Sequence, residues 1–374
     1  ESKNNKDNLK KLILLLLKKD NINHNDIFYN AKSILFIDID DNQIKKIIDL
    51  EFRLFSNQVV KNLLKQELFH LMLQKSLIVD EFFEKLLTKL RCEILFTIGE
   101  PNQNILKEYS DSINSLAEQC WLNEYLYTQS EKEIKLIDKL KDKIENDKNM
   151  NELEVAILGC YIPLNSSKII IDKLVNYKSS NILFNDLINV QIKEPLREIE
   201  LKKSIKSLDV INDPTSMKVR DQYEENPYPR WRYTNVSIPN NFFRWINTEI
   251  LPNITKQNNN FDKPNVLIAG CGTGNHSISA MRYKNSNILG VDLSLASLAY
   301  AKRKSEELNI ENIEFIQADI LQLKKLNKKF DIIESAGAIQ TMQDPIAGLK
   351  VLLDILEPHG FLKLALYSKI GRQH

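Results

Sequence analysis

Only two glycines, Gly99 and Gly159, occur before residue 266, and the other eight of the ten follow it. Glycine is the residue that enters left-handed turns without steric cost, so its distribution divides the chain into two kinds of structure. The glycine-poor stretch, rich in Leu, Ile, Lys and Glu, predicts an all-α helical bundle or short solenoid over residues 1–205. Beyond residue 264, short apolar runs punctuated by glycine predict strands and tight turns. Six of the eleven prolines lie between Pro214 and Pro264, which marks 206–263 as a proline-rich connector.

Within the first part, Val60, Leu63, Leu64, Leu68 and Leu71 repeat at helical spacing. So do Phe83, Leu86, Leu87, Leu90 and Ile94, in a segment opened by Asp80 and closed by Gly99. Ser130 and Glu133 form a capping-box pattern ahead of Ile134, Ile137, Leu140 and Ile144. Pro195 suits the first turn of a further helix. No fixed-period repeat stands out.

The totals exclude several classes of function. With 51 basic and 50 acidic side chains, the chain carries no overall signal for nucleic acid or an anionic membrane. Cys92, Cys120, Cys160 and Cys271 make no CxxC pair, so neither a disulfide framework nor structural zinc is expected, and a reducing cytoplasm fits. Histidines 24, 70, 276, 359 and 374 show no metal-ligand spacing. The apolar run Leu12 to Leu17 is too short to span a bilayer, and no small-residue cleavage site follows it. The chain starts at Glu1 rather than Met, as a fragment or a processed product would.

From residue 265 the period changes. Asn265–Gly270, Asn287–Asp292, Ile313–Asp319, Phe330–Ser335 and Phe361–Ser368 read as strands, with room for one helix in each interval, as over Ser294 to Leu308. Strands apolar on both faces and joined by helical crossovers predict an α/β fold with a parallel sheet covered on both sides. The first strand runs into Ala269-Gly270-Cys271-Gly272-Thr273-Gly274, a GxGxG bend that opens a helix. Glycine there lets the backbone approach a bound ligand, or serves a purely structural turn. Asp292 ends the next strand, where a carboxylate can accept hydrogen bonds from both hydroxyls of a ribose. The alternative is a helix cap, which Ser294 could also supply. Asp319 ends the third strand, where a carboxylate can meet an adenine amino group. A nicotinamide dinucleotide site would want a third glycine or alanine at the position occupied by Asn275. The spacing suits a nucleoside ligand without phosphates.

Taken in order, VLIAGCGTGNHSI, ILGVDLSLASLAYAKRK, IEFIQADILQL and FDIIESAGAIQTMQDPIAGLKVLLDILEPHGFLKLALYS resemble the successive motifs of class I S-adenosylmethionine-dependent methyltransferases. The resemblance implies a Rossmann-like sheet over 264–374, with S-adenosyl-L-methionine as cofactor. It places Ala269, Gly270, Cys271, Gly272 and Gly274 along the methionine portion. Asp292 would hold the ribose, Leu293 would pack on adenine, and Asp319 and Ile320 would meet the adenine edge. Glu334 and Ser335 would stand at the mouth, beside the sulfonium. Three positions depart from the pattern. Ile268 stands where relatives often carry Asp or Glu for the cofactor's amino group. Gln340 and Thr341 replace frequent histidines, and Pro358-His359-Gly360 replaces a Pro-Gly-Gly turn. The sequence ends at His374, just after the fifth strand, so part of such a sheet is expected to be missing.

RDQYEENPYPRW (Arg220 to Trp231), with QCWLNEYLY (Gln119 to Tyr127) and KEPLREIEL (Lys193 to Leu201), is similar to a bacterial group joining a helical, in some members tetratricopeptide-containing, region to such a domain. Asn226-Pro227-Tyr228-Pro229 is not the Asn/Asp-Pro-Pro-Tyr motif of amino-group methyltransferases, which follows the fourth strand, where this chain reads Glu334-Ser335-Ala336-Gly337. Tyr223, Glu224, Arg230 and Trp231 fit either a lid over the site or a stiff connector packing the two parts together. Cys271 reads as a small buried thiol and His276 as a capping or packing residue. Tyr223 and Glu334 are the candidates for a general base, needed only if the acceptor arrives protonated. Three functions follow. The first is methyl transfer to an unidentified acceptor, a small molecule or a protein bound by the helical region. The second is a non-catalytic cofactor-binding helical interaction protein. The third is an NAD-dependent oxidoreductase, disfavoured by Asn275.

Overall fold

The computed structural model describes residues 3–39, 43, 47, 54–98, 103–255 and 261–368. The chain divides into two compact units, one of residues 1–195 with 231–234, the other of residues 196–230 with 235–374.

The first unit is helical. Asp80 accepts from the Phe83 amide at 3.1 Å and opens helix Glu81–Thr97, which buries Phe83, Leu86, Leu87, Leu90 and Ile94. Gly99, expected to close it, lies outside the described residues. The run from Val60 to Leu71 is two helices, Gln58–Leu64 and Glu67–Lys75, because Gln66 between them is extended. The capping box on helix Glu131–Asn146 forms, with Ser130 and Glu133 satisfying each other's backbone amides. It also shifts the buried stripe. Glu133, folded back and accepting from the Tyr161 hydroxyl at 2.8 Å, shares the inner face with Ile137, Leu140 and Ile144, and leaves Ile134 exposed. Pro195 sits in the first turn of helix Glu194–Lys202, but no loop precedes that helix; a π turn, Asn189–Lys193, runs straight into it.

Residues Trp231–Thr234 belong to this helical unit. The Arg232 guanidinium pairs with Glu118, whose side chain is wholly buried, and reaches Asp186 at 3.0 Å and the Gln74 carbonyl at 3.0 Å. Burial pushes the Glu118 carboxyl up to about 7 against the opposing pull of Arg232.

The second unit holds a six-stranded, fully parallel sheet: β1 Lys206–Ser207, β2 Asn265–Ala269, β3 Asn287–Asp292, β4 Ile313–Gln317, β5 Phe330–Ala336 and β6 Leu356–Ala365. Its order is β1-β4-β3-β2-β5-β6. Alternate residues of β2 feed two core layers. Val266 and Ile268 join Ile288, Leu298 and Ile332, while Leu267 and Ala269 join Val291, Ile333 and Leu352. That two-sided burial is why β2 and β3 carry almost no polar residue. The stretch expected as irregular connector contributes β1 and two helices, Pro214–Glu225 and Phe242–Glu249. Asp213 caps the first of these, with Pro214 at its opening position. The order reverses at β2, which lies between β3 and β5. A crevice therefore opens beyond the carboxyl ends of these strands, where open α/β sheets bind ligands.

Two predictions follow from this packing. Arg232→Met leaves Glu118 buried without its cation, and should cost about 3 kcal/mol or more of stability above neutral pH. Because the Glu118 carboxyl is already raised and rises further without Arg232, the loss should shrink as pH falls and the carboxyl takes a proton; urea titrations at pH 8 and pH 5 test this. At Gly274 the backbone is left-handed, φ +87°, and a Cβ would lie 2.4 Å from the Ala301 Cβ. Gly274→Ala should destabilise the protein by about 2–4 kcal/mol, from backbone strain and overpacking together. Thermal unfolding at the wild-type midpoint would contradict this.

Candidate functional site

The bend after β2 is tied down on its strand side. The Gly270 and Cys271 amides both donate to the Val291 carbonyl at 2.9 Å, and the Gly274 amide donates to Cys271 at 3.0 Å. Gly270 is left-handed, φ +75°, and a Cβ there would lie 2.3 Å from the Ala338 Cβ. Gly274 packs against helix Leu295–Glu307 and does not line the cavity, so its absent side chain serves close packing of that helix. At Gly272 the nearest neighbour of an added Cβ is the Tyr228 carbonyl at 3.7 Å. Above this bend lies a cavity of about 370 Å³, within the range of roughly 300–1,000 Å³ common for small-molecule sites.

Asp292 joins the bend to β3. One carboxylate oxygen accepts from the Gly272 amide at 2.8 Å and the other from the Ser294 amide at 3.0 Å. Burial raises its carboxyl above the usual range despite these amide donors. Ser294, not Asp292, caps helix Leu295–Glu307, accepting from the Ser297 amide at 3.1 Å. Each Asp292 oxygen therefore keeps acceptor capacity for a ligand hydroxyl. Asp319, 3% exposed, accepts from the Leu321 amide through one oxygen, and the other has no partner among the described residues. Leu293, Ala318 and Ile320 give the cavity an apolar wall between these two carboxylates.

Other expected site residues lie elsewhere. Ala269 is buried in β2, and its carbonyl accepts from the Ser335 hydroxyl at 2.8 Å, a bond joining β2 to β5. Neither residue lines the cavity, and nor does Glu334. Glu334 is wholly buried and accepts from Arg282 and Tyr283 at 2.5 Å through one oxygen, and from His276 at 2.6 Å through the other. Burial favours its protonated form, but the His276 hydrogen bond and the Arg282 charge outweigh burial and hold the carboxyl at about 2. An anion so held is neither at the mouth of the site nor able to take a proton near neutral pH. The expectation of Glu334 as a base is corrected on that ground. Cys271 lines the cavity, but burial keeps its thiol protonated.

Little in the order of residues pointed to the opposite wall. Thr215, Ser216, Val219 and Tyr223, all on helix Pro214–Glu225, line the cavity together with Tyr228 and Pro229. The Asp213-Pro214 cap was the available signal. Thr273 donates to the Pro229 carbonyl at 2.6 Å, fastening this segment to the bend. The four residues weighed as lid or connector therefore separate. Tyr223 faces the cavity, and burial raises its phenol, so it stays protonated at neutral pH. Glu224 accepts from the Ser294 hydroxyl and the Ala296 amide and pairs with Lys202, while Trp231 is buried in the helical unit. Arg230 closes the 196–230 segment of the second unit. His276, read as a capping or packing residue, is among the residues that line the cavity.

Residues 260–370 match the family model described as "Methyltransferase domain". The chain is 28% identical over 162 residues, 43% of its length, to the Synechococcus protein syc1184_c, covering 39% of that protein. It is 27% identical over 108 residues to a ubiquinone biosynthesis O-methyltransferase of Acinetobacter baumannii, a match covering 29% of this chain and 44% of that enzyme. Among solved structures it is similar to PKMT2 from Rickettsia typhi in complex with AdoHcy, at 29% identity and a TM-score of 0.26, over 28% of this chain and 21% of that one. The chain thus spans less than half the length of these relatives. The family match identifies residues 260–370 as a methyltransferase domain.

Proposed function

We propose that the whole protein transfers a methyl group from S-adenosylmethionine to an acceptor chosen by the helical unit, either a protein or a small molecule. The observation that carries this reading is the pair of strand-end carboxylates, Asp292 and Asp319, set at one cavity with the side-chain-free bend at Gly270 and Gly272. Asp292 has acceptor capacity for the two ribose hydroxyls, Leu293 and Ile320 offer apolar surface to the adenine, and Asp319 has a free oxygen for its amino group. The bound cofactor supplies an already activated methyl group on a sulfonium, so the protein's task is to align an acceptor in line with it. Tyr223, held protonated, can donate a hydrogen bond to an acceptor or its product but is a poor base. With Glu334 also excluded, a second reading has one observation behind it: cofactor binding without turnover.

We place the protein in the bacterial group that joins a helical region to such a domain, and in the cytoplasm. In support, no helix among the described residues is long and apolar enough to cross a membrane, and the cysteines are free. The described residues also contain no group of three His, Cys, Asp or Glu suited to a metal ion.

Calorimetry of the chain with S-adenosylmethionine, S-adenosylhomocysteine and NAD tests the assignment; preference for NAD overturns it. Radiolabelled donor added to fractionated cell extract should label one fraction, whereas binding without label transfer to any fraction would favour the second reading. Asp292→Ala should weaken S-adenosylhomocysteine by about 1.5–3 kcal/mol, the usual loss of hydrogen bonds to a charged group. Unchanged affinity in the folded variant would remove Asp292 from the site. Because its carboxyl is raised, affinity should decline on acidification at a higher pH than an ordinary aspartate would give.

A further inference from the structure

Helix Pro214–Glu225 brings one stripe to the cavity, Thr215, Val219 and Tyr223, set four residues apart. At its start the helix is tied across the cavity by an exposed bond from the Thr215 hydroxyl to the Gln343 side chain at 3.3 Å. Its last turn is held more firmly. Glu224, the neighbour of Tyr223, does not line the cavity. One oxygen of its carboxylate accepts from the Ser294 hydroxyl at 3.0 Å and from the Ala296 amide at 2.9 Å, and the other pairs with Lys202.

Ser294 and Ala296 open helix Leu295–Glu307. Ser294 caps that helix by accepting from the Ser297 amide at 3.1 Å, and its own amide donates to Asp292 at 3.0 Å. Glu224 therefore supplies a second cap, on the Ala296 amide, and a carboxylate at a helix start is favoured by the helix dipole. The Tyr223 carbonyl also stands 3.0 Å from the Ser294 hydroxyl. A hydroxyl has one hydrogen to give, and the charged carboxylate is the stronger acceptor for it. Both acceptors belong to the last turn of helix Pro214–Glu225, so either choice ties that turn to the same serine. Burial would raise the Glu224 carboxyl, but Lys202 and the Ala296 amide outweigh burial and hold it below the usual range. It is charged at neutral pH. Ser294 thus joins three parts of the site: Asp292 through its amide, helix Leu295–Glu307 through its lone pair, and the opposite wall through its hydrogen.

We propose that Glu224 is a positioning residue for the cavity: by capping helix Leu295–Glu307 from the opposite wall, it holds Tyr223 over a bound nucleoside and sets how fast that ligand leaves. This rests on the reading that the cavity holds S-adenosylmethionine and, after transfer, S-adenosylhomocysteine. Glu224 acts through Ser294 and through the helix whose first turn follows Asp292, not by touching the ligand. Segments that close over a ligand commonly govern product release, and with it turnover.

The test is the rate at which S-adenosylhomocysteine joins and leaves the whole chain, followed by surface plasmon resonance. Glu224→Ala removes the cap and should speed dissociation about tenfold, on the order of one charge-assisted hydrogen bond, with association within about threefold of wild type. Glu224→Gln keeps an oxygen for the Ser294 hydroxyl and the Ala296 amide and loses only the partly exposed pair with Lys202. Its dissociation rate should stay within about threefold of wild type. Unchanged dissociation in a folded Glu224→Ala variant overturns the proposal. So does a Glu224→Gln variant that releases ligand as fast as Glu224→Ala, and so does a loss of affinity carried by association alone. Hydrogen exchange of the wild-type chain adds a measurement that needs no variant. S-Adenosylhomocysteine should slow exchange of the amides of residues 218–225 together with those of 270–274. Slowing at the bend alone would show that the opposite wall does not close on the ligand, which also overturns the proposal. A wild-type chain that binds no S-adenosylhomocysteine fails the reading of the cavity itself.

Discussion

The bond between the Gly272 amide and the Asp292 carboxylate joins two segments that are distant in sequence and adjacent in the sheet. It fixes the bend after β2 against the end of β3, and it needs both the carboxylate and a bend whose backbone can turn left-handed at three places. The close approach of helix Leu295–Glu307 at Gly274 and of Ala338 at Gly270 then sets how far the bend can move. Everything assigned to the cavity depends on that placement. The strand-end carboxylates, the apolar wall at Leu293 and Ile320, and His276 are all positioned relative to this one bend. Burial of Asp292 works against its charge, and the two amides it accepts offset part of that penalty.

A second charge arrangement lies behind the first. Glu334, Arg282, Tyr283 and His276 come from β5 and from the short helical stretch after the bend, and they meet where β2 offers no polar side chain. A buried carboxylate with a guanidinium, a phenol and an imidazole around it is fully satisfied, and so it is rigid. The opposite wall is built differently, from a capped helix and a proline-rich segment fastened to the bend by Thr273.

Much of this was legible in the sequence, for identifiable reasons. Strands β2, β3 and β5 are largely buried on both faces, and glycine or aspartate closes or directly follows each of them, so period and punctuation agreed. Asp292 and Asp319, read from the strand ends, both line the cavity. The role of Gly274 was misjudged because a glycine kept for ligand approach and one kept for helix packing look the same in one dimension. Glu334 looked like a mouth residue because its position on β5 is readable, whereas its partners Arg282, Tyr283 and His276 declare themselves only when the sheet is assembled. β1 escaped notice because two residues, Lys206 and Ser207, carry no periodicity. In the helical unit, Gln66 breaks a helix without Gly or Pro, and Glu133 occupies an inner face that hydrophobicity would give to Ile134.

The return of Trp231–Thr234 to the helical unit has a consequence for how this chain can be divided. The backbone passes between the two units three times, after Pro195, after Arg230 and after Thr234. No single cut therefore yields two intact halves. A gene fragment ending before residue 231 would strand Glu118 in an apolar interior without its counter-ion, and one beginning after residue 234 would discard the helix that walls the cavity. Evolution by simple exchange of one half would meet the same obstacle, so the two units are expected to be inherited together.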